Sequence, residues 1–248
     1  MPSLVHYLPI ATTLIALPFA AAVLARWRRQ GGPHLLWWGV GLLVYGAGTA
    51  VEAATTLFGW HQALFKAWYI TGALLGGAPL AQGTVYLLLS RRTAHRLTAP
   101  LLTLVAVAAV CVLLAPVDTG LVEPHRLTGR VLAWRWVRWF SPFINLYAFV
   151  FLVGGAALSA ARYARAPAMR HRFLGNVAIA VGALLPGIGG SATRFGHTEV
   201  LYVTELIGLA LIWAGYRVIT SGAERQDVER RSIERKPAEA DVAHRPRV

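Results

Sequence analysis

Charge and sulfur are both scarce in this chain. Only 14% of its 248 residues are charged, against roughly 25% in soluble domains. A soluble surface depends on charged side chains to stay solvated, so a globular water-soluble enzyme is excluded. Cys111 is the single cysteine, which rules out an intrachain disulfide and a thiolate metal cluster. It lies in the apolar run 101–114 and reads as inert packing. No GxSxG elbow, P-loop or HExxH run occurs, and no opposed pair of histidines is placed to ligate haem. The N-terminus lacks the basic start and small-residue cleavage site of a signal peptide, so the first hydrophobic segment is expected to be retained.

What the chain has instead is apolar length. Hydrophobic residues make up 56% of it, with a mean hydropathy of +0.52. A helix needs about 20 apolar residues to cross roughly 30 Å of hydrocarbon. Seven runs qualify: Leu4–Ala25, Leu35–Phe58, Leu64–Leu89, Leu97–Ala115, Pro142–Tyr163, Phe173–Thr193 and Val200–Ile219. The fold expected is all-α, a polytopic seven-transmembrane-helix bundle over residues 1–221. A charged tail, 222–248, follows it. That tail holds seven Lys/Arg and six Asp/Glu and is expected to be helical at first, then disordered past Pro237.

The formal charge of +13 invites a nucleic-acid reading, but its distribution argues against one. The arginines sit in short loops between hydrophobic runs, the pattern that orients membrane proteins. Eleven basic residues, from Arg26 to Arg217, occupy one set of loops, and six occupy the other. Four of those six fall in a single long connection, which counts less. The N-terminus is therefore expected outside and the C-terminus in the cytoplasm, with the chain multi-pass in a cytoplasmic (inner) membrane. Scarce lysine beside abundant arginine and alanine suggests a GC-rich bacterial source.

The layout resembles heptahelical receptors and rhodopsins in topology alone, and topology does not assign function. Lysine occurs only at Lys66 and Lys236. The last hydrophobic segment has none, so the Schiff base that would hold retinal cannot form there.

Ionisable groups inside a span are expensive and mark functional candidates. Glu52 lies six residues from the end of the second run, roughly 9 Å deep. Tyr45, Gly48, Thr49, Thr55 and Thr56 share its helical face. A carboxylate aimed at lipid tails has no use for hydroxyl company, so this stripe is expected to face the bundle interior. Glu205 lies at a similar depth in the last run, with Tyr202 and Thr198 on its face. Arg194 and Glu199 mark the ends of the last two runs, Trp68 and Thr71 open the third, and Ser141, Asn145 and Tyr147 belong to the fifth. Together these define an outward-facing polar cavity lined by Glu52, Glu205, Tyr202, Asn145, Arg194, Trp68, Thr49 and Tyr45. If the two glutamates meet, like charges in a low dielectric resist joint ionisation and are expected to share a proton. The structural alternative is that both serve as interhelical hydrogen-bonding groups. A metal site built from His6, Glu52 and Glu205 is conceivable, but its spacing is not diagnostic.

Three further features invite a structural reading. The sixth run contains GALLPGIGG, residues 182–190, where proline and glycine predict a kink or unwinding near Pro186 or a close helix crossing. The segment Val131–Phe140 alternates Trp with Arg and reads as an interfacial anchor or a lid over the cavity. Runs 2–3 and 6–7 can be superposed on Phe58-Gly59 and Phe195-Gly196, which would make a 3+1+3 parallel repeat.

The leading expectation is a protein that binds a small molecule or ion, as a transporter or receptor, with a possible protein partner at its cytoplasmic tail. The first alternative is a membrane enzyme acting on a lipid or isoprenoid through the two glutamates. The second is a structural or assembly subunit.

Overall fold

The computed structural model describes residues 4–123 and 126–243, with the side chains of 194 and 227–243 outside the description. Among the described residues the chain is helical, and its only β-bridges are two isolated pairs in one loop. The long elements are α1 (Leu8–Gln30), α2 (Pro33–Phe58), α3 (Gln62–Trp68), α4 (Ala78–Leu88), α5 (Arg91–Leu114), α6 (Phe140–Ala148), α7 (Gly154–Tyr163), α8 (Arg170–Arg194) and α9 (Thr198–Ala243). Six segments are long and apolar enough to cross a membrane. The chain is a helical multi-pass membrane protein.

The third hydrophobic run is not one of the six, because it is broken. α3 widens into a π-helical turn over Tyr69–Leu74, the helix opens at 75–77, and α4 begins at Ala78. Gly76, Gly77 and Pro79 account for the opening: glycine adds no preference for helix, and proline cannot donate to the preceding turn. The Ala73 carbonyl is taken up from outside the helix, by Ser141 Oγ at 2.7 Å and Asn145 Nδ2 at 3.1 Å. The fifth run widens in the same way at Phe149–Val153, between α6 and α7, without breaking.

Of the readings open at Pro186, unwinding does not occur; α8 is one continuous helix from Arg170 to Arg194. Close packing explains why. Gly175, Gly182 and Gly189 recur every seven residues on the face against α9. A Cβ on Gly182 would lie 2.5 Å from the Gly208 carbonyl, and one on Gly175 would lie 2.7 Å from the Gly215 carbonyl. The two backbones touch, as small residues allow inside a bilayer.

Contacts fix which helix ends lie together. At one end, here the loop end, Thr56 donates to the His6 carbonyl, Lys66 to that of Leu113, and Arg126 to that of Thr193. At the other, the tail end, Arg172 reaches Tyr163 and Gln226 reaches the Ala168 carbonyl. Helix pairs α8–α9, α9–α1, α1–α2, α2–α4 and α7–α8 form a ring, and α5 packs outside it against α4 and α6. α6 itself packs on α4 and α5, with no extended contact to α8. A buried cluster of Phe19, Leu35, Leu42, Leu80 and Leu209 fills the tail half. A second, including Phe65, Leu74, Val131 and Ile144, lies under the 115–139 connection. α9 continues from the ring into the charged tail as far as Ala243. The helix thus runs past Pro237, where disorder was expected to begin, and residues 244–248 lie outside the described residues.

Candidate functional site

α2 and α9 face each other across the ring with α1 behind them. Their apposition is fixed by Tyr45, whose hydroxyl donates to the Glu205 backbone carbonyl at 3.2 Å. On the α2 side, Thr49 is tied to Thr13 of α1 at 2.9 Å, and Gly48 allows Gly72 to approach the helix backbone. This close crossing brings Trp68 over Glu52, and its Nε1 donates to Glu52 Oε1 at 2.8 Å. Glu52 is 3% exposed. Its carboxyl group lies within hydrogen-bonding reach of that of Glu205. One oxygen on each, Glu52 Oε2 and Glu205 Oε2, is shielded from solvent and receives no hydrogen bond from any third group.

Glu52 and Glu205 line a cavity of about 710 Å³, although these two oxygens themselves have almost no accessible surface. Six of the eight residues expected there do so: Glu52, Glu205, Asn145, Trp68, Thr49 and Tyr45. Tyr202 does not. It is buried beside the cavity and meets the His6 ring edge-on at 5.9 Å. The Arg194 side chain lies outside the described residues. Among the described residues no three His, Cys, Asp or Glu side chains gather as a metal site, so His6, Glu52 and Glu205 do not form one.

The cavity has three kinds of wall. At the loop end, Arg130, Arg135, Arg138 and Trp139 line it; the Trp/Arg segment therefore contributes to the site whatever else it anchors. Along the middle stand the glutamates, with Trp68, Tyr69 and Thr49. Below them the lining turns apolar, through Leu80, Leu152 and Ile212. The glutamates are thus on the wall and not on the floor. Tyr45, seven residues below Glu52, lies about 10 Å deeper along α2 and still lines the space.

On one flank the cavity is a cleft. Pro142, Asn145 and Phe149 form one lip and Leu184, Gly187 and Ser191 the other. These lips come from α6 and α8, which separate here. Asn145, Phe149, Leu184 and Ser191 are exposed, and a Cβ on Gly187 or Gly190 would meet nothing within 4 Å. α8 therefore has two glycine faces, one pressed against α9 and one open.

Toward the tail end the space closes. Gln82 is fully buried and donates to Thr98 Oγ1 at 2.7 Å, while Tyr147 Oη donates to its Oε1. Thr98 and Tyr86 are in contact, and Tyr86 reaches His95 at 2.9 Å. These groups bind one another, and none of them lines the cavity.

Sequence reasoning missed Tyr69, Gly76 and Gly77, which also line the cavity. The signal was available in Gly76-Gly77-Ala78-Pro79, a helix-breaking run as strong as the one at Pro186. Comparison with protein-family models, with curated proteins and with solved structures finds no match.

Proposed function

We propose that the chain crosses the cytoplasmic membrane seven times, N-terminus outside, and binds a small molecule or ion in a cavity facing outward. In this reading the broken third run is the seventh crossing, and the loop end is the outer face. The eleven-to-six asymmetry of basic residues supports that orientation. The observation that carries the binding reading is a pair of buried glutamates on a cavity wall, each with one shielded oxygen that no other side chain or backbone group serves. Two carboxyl groups this close call for a proton or a cationic donor between them. Buried polar groups left unsatisfied are costly, and a ligand would satisfy both.

A receptor fits better than a conduit. The tail half is packed by Leu42, Leu80 and Leu209 and tied by the Gln82 cluster. α9 carries Glu205 and runs unbroken into the charged tail, which would couple the cavity to a cytoplasmic partner. A second reading, an enzyme acting on a lipid with Glu52 and Glu205 as acid and base, draws support from the open flank.

Native mass spectrometry of protein purified in mild detergent tests the binding reading. Wild type is expected to carry an added mass that Glu52→Gln and Glu205→Gln lose while remaining folded. Wild type that flies bare, or retention unchanged in both variants, would remove the pair from any binding role.

A further inference from the structure

We infer that the ligand is a lipid with a primary-ammonium, phosphate-bearing headgroup, of the phosphatidylethanolamine type, drawn into the cavity through the cleft between α6 and α8. This rests on the binding reading above and narrows it to one chemical class.

The first argument is hydrogen-bond arithmetic. Glu52 Oε1 is occupied by Trp68, and Glu52 Oε2 and Glu205 Oε2 are left without donors. A primary ammonium offers three N–H donors at one point, enough to serve both carboxyl groups at once when their shielded oxygens turn toward the cavity. A trimethylammonium offers none. Trp68 and Tyr69 line the same wall, and aromatic faces add attraction for a desolvated cation.

The second is charge order along the cavity. Arg135 and Arg138 line its loop end, and among the described residues neither has a carboxylate partner. Guanidinium groups match phosphate oxygens in geometry as well as charge. A ligand spanning the cavity therefore meets cationic side chains near the surface and carboxylates deeper in. An ethanolamine phosphate headgroup has that order when its ammonium points inward.

The third is the flank. Asn145 and Ser191 are exposed among apolar lips formed by Phe149 and Leu184. Open space stands before Gly187 and Gly190. A soluble ligand needs no such side opening. A lipid does, because its chains must remain among other lipid chains while the headgroup enters.

The test uses the full chain in nanodiscs holding equal amounts of phosphatidylethanolamine, phosphatidylcholine and phosphatidylglycerol, then gentle transfer to detergent and native mass spectrometry. Wild type is expected to retain phosphatidylethanolamine about tenfold over either competitor, the scale of one charged hydrogen bond. Glu52→Gln with Glu205→Gln should erase that preference. Arg135→Gln with Arg138→Gln should weaken retention of all three lipids alike, since all carry phosphate. Gly187→Leu fills the cleft without touching either charged group, and should lower lipid retention while leaving the melting temperature unchanged. Equal retention of the three lipids by wild type overturns the proposal whatever the variants do. Displacement of the lipid by soluble glycerophosphoethanolamine at equal concentration would also overturn it, by making the headgroup alone the ligand. A Glu52-dependent ligand that is not a lipid would defeat this inference and leave the binding reading standing.

Discussion

Residues 72–79 read GALLGGAP and residues 182–190 read GALLPGIGG, yet the first stretch breaks its helix and the second does not. Composition cannot explain the difference; the neighbours do. In the first stretch the freed Ala73 carbonyl finds side-chain donors on α6, Ser141 and Asn145. The backbone can leave the helix without stranding a polar group in lipid, which is the condition for irregular backbone at that depth. In the second stretch Pro186 withholds an N–H from the Gly182 carbonyl. That carbonyl instead lies against Gly208, where a Cβ would come within 2.5 Å of it. Such a contact is the geometry of a Cα–H···O bond. With its carbonyl occupied and its glycines clamped on α9, α8 gains nothing by opening.

The sharpest way to break this comparison is to part the clamp. Gly182→Leu or Gly208→Leu places a side chain where the partner backbone stands. Neither backbone can yield, so the folded state should lose about 3 kcal/mol, at the severe end of overpacking. Thermal unfolding in detergent should show both variants melting well below wild type. On the open face of the same helix, Gly187→Leu meets no atom and should melt with wild type. Equal losses on the two faces would mean that α8 is not held by its glycine face.

A smaller effect is expected at the broken run. Ser141→Ala combined with Asn145→Ala removes both donors to the Ala73 carbonyl. Losing the two hydrogen bonds, at about 1 kcal/mol each, costs about 2 kcal/mol, and Asn145→Ala alone should cost less because Ser141 remains. Deuterium exchange should rise at residues 74–78 in the double variant before it rises in α8. Uniform acceleration across both helices would show that the caps stabilise the bundle generally and not the break.

Much of the site was legible because its chemistry is local. Glu52, Thr49 and Tyr45 share a helical face by spacing alone, and a stripe of that kind on an apolar helix points inward. That Glu205 meets Glu52 was inferred from matching depth, a cruder guide that succeeded because α1 holds α2 and α9 together from behind. Tyr202 went wrong for a related reason. Its spacing places it on the Glu205 face, but His6 at the start of α1 stands where the cavity would have to extend. Both helix-breaking runs were visible in the sequence, but which of them would open was beyond sequence reading. Each depends on what a distant segment offers to a freed carbonyl, Ser141 in one case and Gly208 in the other. The Trp/Arg segment allowed two readings, and only its fold against Gly129 and Tyr69 turned its arginines toward the cavity.

The smallest effects expected come from the two prolines, and they separate cause from accompaniment. If proline determines where a helix opens, Pro79→Ala should close the break and Pro186→Ala should matter little. If the carbonyl partners determine it, neither substitution changes the helix path. The second outcome is expected. In Pro79→Ala the glycine pair at 76–77 and the Ser141 and Asn145 caps all remain, so residues 75–77 should still exchange quickly. Pro186→Ala returns an N–H to a helix that is already continuous. Since the Gly182 carbonyl is already engaged by Gly208, the gain should be about 1 kcal/mol, below the roughly 3 kcal/mol that removing an interior proline from an exposed helix returns. A gain near the full value would mean that the Gly208 contact does not satisfy the carbonyl. The continuity of α8 would then be imposed on a strained helix by packing alone.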